Sequence, residues 1–221
     1  QNMKNLIPIL YGVYFNLLAL LSKKSVAKKA FHLFCTIRKG KVSPQQVDFL
    51  DSAKHEYLDI VDHNIQTYKW PGTKETILLI HGWESNTFRW RHLIAKLKES
   101  DYNIIAFDAP AHGNSSGKYL YVPLYAKALE HMLKTYRPKH VVGHSVGGMT
   151  ILYNEHKNPN DELEKIVTIG SPSEFHELMS HYKNLLGFNT KVLSAMDTYI
   201  KSRFGFTVRE FSTSNFVKTN T

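Results

Sequence analysis

His140-Val141-Val142-Gly143-His144-Ser145-Val146-Gly147-Gly148 is the stretch around which the rest of the chain can be read. Two β-branched residues lead into Gly143-x-Ser145-x-Gly147, and Met149-Thr150-Ile151-Leu152-Tyr153 behind it reads as the start of a helix. A serine therefore stands on a sharp strand-to-helix turn. Such a turn strains the serine backbone, and Gly143 and Gly147 permit it because a Cβ at either position would meet neighbouring main chain. The hydroxyl then projects past the end of the sheet. The free N–H groups and positive dipole end of the following helix point at the same spot, where they favour a developing oxyanion.

Outward from this turn, strands and helices alternate. Ile77-Leu78-Leu79-Ile80 is continuously apolar, as a strand buried on both faces should be. Ile104 to Phe107, Val141-Val142 and Ile166 to Ile169 read as further strands, with helices over Phe88 to Leu97 and Tyr125 to Tyr136 between them. Such βαβ alternation predicts an α/β fold, a mostly parallel doubly wound sheet with helices on both faces. Before it, His55 to Val61 and Ile65 to Trp70 alternate at period two, like half-exposed antiparallel strands, and Ser43-Pro44 marks a helix start. Three loops then fall at the carboxyl ends of strands, where such sheets hold their sites: His81-Gly82-Trp83-Glu84, Asp108 to Gly117, and the serine turn.

Composition limits the alternatives. The 221 residues are 43% hydrophobic, enough for a sizeable core. Cys35 is the one cysteine, so no intrachain disulfide forms, and a buried apolar role beside Phe31 and Phe34 suits it better than a reactive one. The net charge of +9 is concentrated before Asp48, where eight basic residues meet no acidic one; the remainder carries twenty basic against nineteen acidic side chains. A nucleic-acid face would need basic residues spread through the fold, so no nucleic-acid partner is expected.

Together, His81-Gly82-Trp83, Asp108-x-Pro110-x-His112-Gly113-x-Ser115 and Gly143-His144-Ser145-x-Gly147-Gly148 resemble the α/β-hydrolase superfamily, in its serine-hydrolase branch of esterase-like and lipase-like enzymes. The three motifs stand in the family's order, and the resemblance covers about Glu56 to Pro172. Ala111 departs from it, since many relatives carry glycine there. The resemblance implies that Ser145 is the nucleophile attacking an acyl carbonyl, and that the main-chain N–H groups of Trp83 and Val146 form the oxyanion hole. His81, Gly82, Asp108, His112, Gly143, His144 and Gly147 would support the motifs by bracing loops. The implied substrate is a small acyl compound. No metal site is expected, since His81, His112 and His144 lack ligand spacing, and no organic cofactor is implied. An acyltransferase or carbon–carbon bond hydrolase on the same scaffold, and a non-catalytic binding or membrane-associated module, remain open alternatives.

The family supplies its acid and then its histidine after the serine, each following a further core strand. Beyond Ile169-Gly170-Ser171-Pro172 the sequence offers two helical stretches, Ser173 to Leu186 and Lys191 to Phe204, and no further apolar strand. The expectation is a helical cap over residues 173–211, a tail over 212–221 that leads toward absent core strands, and an incomplete hydrolase core over 48–172. On that reading the strand 166–169 becomes an exposed apolar edge. Residues 1–47 form a basic, partly apolar helical arm. Its run Leu6 to Leu21 carries no charge, and three readings stand: packing on the domain or a partner, an interfacial membrane helix using residues 4–29, and a marginal membrane span. A cytoplasmic protein, peripheral at the membrane if the second reading holds, is the expected location.

Overall fold

The computed structural model describes residues 6–218. Six strands among them form one sheet: β1 (Lys54–Ile60), β2 (His63–Trp70), β3 (Lys74–Ile80), β4 (Tyr102–Phe107), β5 (His140–His144) and β6 (Lys165–Ile169). Their order in space is β1-β2-β4-β3-β5-β6. The period-two strands β1 and β2 pair antiparallel, and β2 pairs antiparallel with β4. From β4 to β6 every pairing is parallel, with Ile80 opposite both Phe107 and Gly143.

The continuously apolar β3 is explained by two covered faces. Leu78 and Ile80 join Tyr125, Leu129 and Met132 of the helix α5 (Val122–Tyr136) in one core. Ile77 and Leu79, on the opposite face, join Tyr68 and Trp70 with Trp90 and Ile94, the latter from α4 (Arg91–Glu99). Each of the four β3 residues is at most 6% exposed. α3 (Pro44–Leu50) closes the second face with Leu50, and Ser43 and Gln46 cap it reciprocally as a capping box. The helix expected from Phe88 is shorter than its pattern. Asn86 caps a 3-10 turn over Thr87–Trp90, and the α-helix begins only at Arg91.

Two compact units emerge. One holds Ile37–Pro172 with the described residues from Asn215 onward, and carries the sheet. Residues 37–47 thus belong with the sheet and not with the arm in which the sequence reading placed them. Backbone bonds are the reason: Ile37 N–H donates to the Lys118 carbonyl and Gly113 N–H to that of Gly40, while the Lys41 ammonium donates to the Ser115 carbonyl. Phe216, in the stretch expected to be a tail, lies on a helix over Thr213–Lys218 and stacks on His156 at 4.6 Å.

The other unit joins the described part of residues 1–36 to Ser173–Ser214. Its helices are α1 (Leu6–Leu21), α2 (Lys23–Cys35), α7 (Phe175–Leu186) and α8 (Thr190–Phe204). Val26, Ala27, Ala30 and Phe31 of α2 are buried there, with the Phe31 ring 5.5 Å from Tyr199 and 5.7 Å from Phe204 of α8. Cys35 is 1% exposed, and burial pushes its thiol pKa up, so it acts as packing. No described helix is long and apolar enough to cross a membrane.

Candidate active site

Ser145 takes φ 52° and ψ −123° between the last residue of β5 and the first of α6 (Val146–Lys157). For a non-glycine residue this is a strained conformation, and strain of this kind persists only where the surroundings over-determine it. Here they do. The Ser145 N–H donates to the Ile169 carbonyl at 2.9 Å, and its own carbonyl accepts from Met149 N–H. A Cβ on Gly147 would collide with the Ile80 carbonyl and lie 2.6 Å from that of His81. One on Gly143 would lie 2.7 Å from the Gly148 Cα. The two motif glycines therefore let the start of α6 settle directly on the ends of β3 and β5.

The loop after β3 closes over the same point. A Cβ on Gly82 would stand 3.0 Å from the Ser145 Cβ and 2.8 Å from His144 Nδ1. Trp83, the next residue, is thereby brought beside the serine, and Val146 opens a helix whose first N–H groups have no helical acceptor. The structure thus collects Gly82, Trp83, His144, Ser145 and Val146 at one place.

His81, Asp108 and His112 do other work. His81 is fully buried: its Nε2 accepts from Ala109 N–H at 2.9 Å, so Nδ1 carries the proton and donates to the Gly82 carbonyl at 2.8 Å. His112 repeats the arrangement, with Nε2 accepting from Glu84 N–H and Nδ1 donating to the Pro110 carbonyl. Burial lowers the pKa of each to about 4, so both are neutral. Asp108 accepts from the Tyr68 hydroxyl and the N–H groups of Thr87 and Asn114, all at 2.9 Å. These three residues tie the loops after β3 and β4 together. His144 is half-buried, its pKa lowered by burial first and by the nearby Arg89 second.

Glu84, at φ 47°, and Tyr125, whose hydroxyl donates to the His81 carbonyl at 3.0 Å, also hold the site. Tyr125 carries only the ordinary apolar signal of a core helix in the sequence, and Glu84 no signal at all. A cavity of about 710 Å³ has Lys41, Glu84, Arg89, Trp90, His144 and Ile169 in its wall; of the residues gathered at the serine turn, His144 alone lines it. Among the described residues no three His, Cys, Asp or Glu side chains are grouped as a metal site requires.

The sequence pattern of the alpha/beta hydrolase fold matches residues 75–204. A probable serine hydrolase of Drosophila melanogaster is 31% identical over 110 residues, covering 46% of this chain and 33% of that protein. An uncharacterized hydrolase of Bacillus subtilis, YugF, is 31% identical over 119 residues, covering 52% of this chain and 42% of its own length. The chain thus spans less than half the length of these curated relatives. Among solved structures, the mouse alpha/beta hydrolase domain-containing protein 10 superposes with a TM-score of 0.54 at 19% identity, over 75% of this chain and 70% of the other, a likeness of fold. With the sheet order, the strained serine turn and a family pattern spanning residues 75–204, the chain belongs to the alpha/beta hydrolase fold family.

Proposed function

We propose that the protein is a serine hydrolase that cleaves a carboxylic ester or related acyl bond through an acyl-enzyme on Ser145. The observation that carries the reading is the backbone of Ser145 at φ 52°, locked between β5 and α6 with Gly82 packed against its side chain. Backbone strain of this kind clusters at functional sites.

In this reading the Ser145 hydroxyl loses its proton to a base as Oγ bonds to the acyl carbon. The carbonyl oxygen becomes an oxyanion, which accepts from the N–H groups of Val146 and Trp83; one such donor is worth about 3–4 kcal/mol in the transition state. The alcohol leaves with a proton, and water then hydrolyses the serine ester by the same route. Neither His81 nor His112 is assigned as the base. Each has both ring nitrogens committed to loop hydrogen bonds, and each is buried and neutral. The cavity that His144 and Ile169 line would take the substrate, with Arg89, Lys41 and Glu84 also in its wall.

The test is labelling with a fluorophosphonate, which reacts with an activated serine, followed by peptide mapping. It is run on this chain and on the protein as its source cell makes it. Labelling at Ser145 that is abolished by Ser145→Ala is the expected result. Labelling elsewhere, or in neither form, overturns the reading.

A further inference from the structure

α1 packs inside out for a helix in water. Its buried stripe is Gly12, Phe15 and Ala19, two of them small, and Gly12 is pressed so closely on the backbone of Leu186 that no Cβ would fit. The large apolar residues face away. Ile7, Leu10, Tyr14, Leu17 and Leu21 recur at alternating three- and four-residue spacing and are 43–85% exposed. Leu6, Ile9, Val13 and Leu20 widen this stripe and are also exposed. The outward half of α1 is thus apolar across its width, without a charged residue from Leu6 to Leu21. A helix apolar all round is ordinarily buried in a core or in lipid, and a patch of this extent on a soluble surface marks an interaction site.

Charge identifies the partner. Lys23, Lys24, Lys28 and Lys29 follow at once on α2 and are all exposed, and no acidic residue occurs before Asp48. Lys29 stands at the apolar stripe itself: its ammonium donates to the Tyr14 hydroxyl at 2.6 Å. A second copy of the chain is a poor match, because these lysines would repel their counterparts, and because a helix pair in water needs polar flanks beside its apolar seam, where α1 has Ile9, Val13 and Leu20. With 16 residues α1 extends about 24 Å and does not meet the length of a span. We propose that α1 and the start of α2 are a docking surface for an anionic lipid bilayer, with the stripe Ile7 to Leu21 lying among the acyl chains and the lysines on lipid phosphates. Lys4, part of the segment suggested by the sequence, lies outside the described residues.

Flotation of the purified chain with phosphatidylcholine vesicles, with and without phosphatidylserine, tests this. Binding should require phosphatidylserine and weaken as salt screens the lysines. Lys23→Gln/Lys24→Gln/Lys28→Gln should bind on the order of a hundredfold more weakly, at about 1 kcal/mol per lysine. Leu10→Ser and Leu17→Ser should each lose tenfold or more, while circular dichroism keeps the helical signal of the parent. The proposal is overturned by absence of flotation, by equal flotation on both vesicle types, or by folded variants that float like the parent. It is equally overturned by a soluble dimer that does not float and that Leu10→Ser dissociates, since that outcome gives the stripe to a second copy.

Discussion

Ala111 holds its backbone at φ 70°, a region that costs a side-chain-bearing residue about 1–2 kcal/mol and glycine almost nothing. Ala111→Gly relieves that strain but also loosens the unfolded chain, so it should change stability by roughly 0 to 1 kcal/mol in the favourable direction, read from urea unfolding. Gly82→Ala has a different target. Its Cβ would crowd both Ser145 and His144, and a displacement of about 1 Å at a reacting centre costs on the order of 10²-fold. The fluorophosphonate labelling rate should fall by that order while the fold survives. His81 and His112 give a pH signature. Their folded pKa of about 4 lies below the value near 6.5 of the unfolded chain, so the unfolded state takes up protons first as pH drops. Their contribution is complete above about pH 6.5 and is lost as pH falls toward 4, on the order of 3 kcal/mol for each. His112→Gln, which can keep an acceptor for the Glu84 N–H, should make the acid limb of unfolding between pH 6.5 and 4 shallower. At this scale the serine and its glycines were legible because chemistry restricts those residue types. The strain at Ala111 and Glu84 and the anchoring by Tyr125 were not, since backbone angles and hydrogen bonds across 44 positions leave no local pattern.

β6 is exposed at all five residues, with Ile166, Val167 and Ile169 36–46% accessible, and it stands last in the sheet order. An apolar edge strand offers a template for pairing with another chain, and here Lys165 is its one charge. Val167→Lys should reduce concentration-dependent light scattering on warming while shifting unfolding stability by no more than about 0.5 kcal/mol. The strand itself was legible, because Ile166 to Ile169 is a short apolar run rich in β-branched residues. Other elements were harder to read. β2 shows a period-two pattern, yet four consecutive residues of it, Ile65 to Tyr68, are buried, because both of its faces are covered, Ile65 joining the core with Leu129 and Tyr68 the opposite one with Trp90. The turn Thr87–Trp90 carries helical periodicity but winds as 3-10, since Asn86 caps it from the Phe88 N–H. Tertiary neighbours decided the first, and a single sequence does not display them; the second turns on a contact only two residues apart, whose outcome residue type alone does not fix.

Across the molecule, the chain leaves and re-enters its units: residues 1–36 are separated from Ser173–Ser214 by the whole of the sheet. The α/β core followed from alternation of strand and helix. The partnership of α2 with α8 did not, because side chains as generic as Val26, Ala30 and Phe31 name no distant mate. It does predict an outcome. Deleting residues 1–36 strips the Phe31 and Phe34 contacts from Tyr199, Phe204 and Tyr182, so limited proteolysis should cut first within 173–214 while fragments from Ile37–Pro172 persist. Asn16, the amide that interrupts the apolar run, reaches both polarities of one turn: its Nδ2 donates to the Gly187 carbonyl at 2.9 Å and its Oδ1 accepts from Asn189 N–H at 2.8 Å. A hydropathy count scores that residue as a flaw in the helix. In the fold it works as a keyway: it fixes the rotation of α1 about its own axis, so that the greasiest side cannot roll inward to hide.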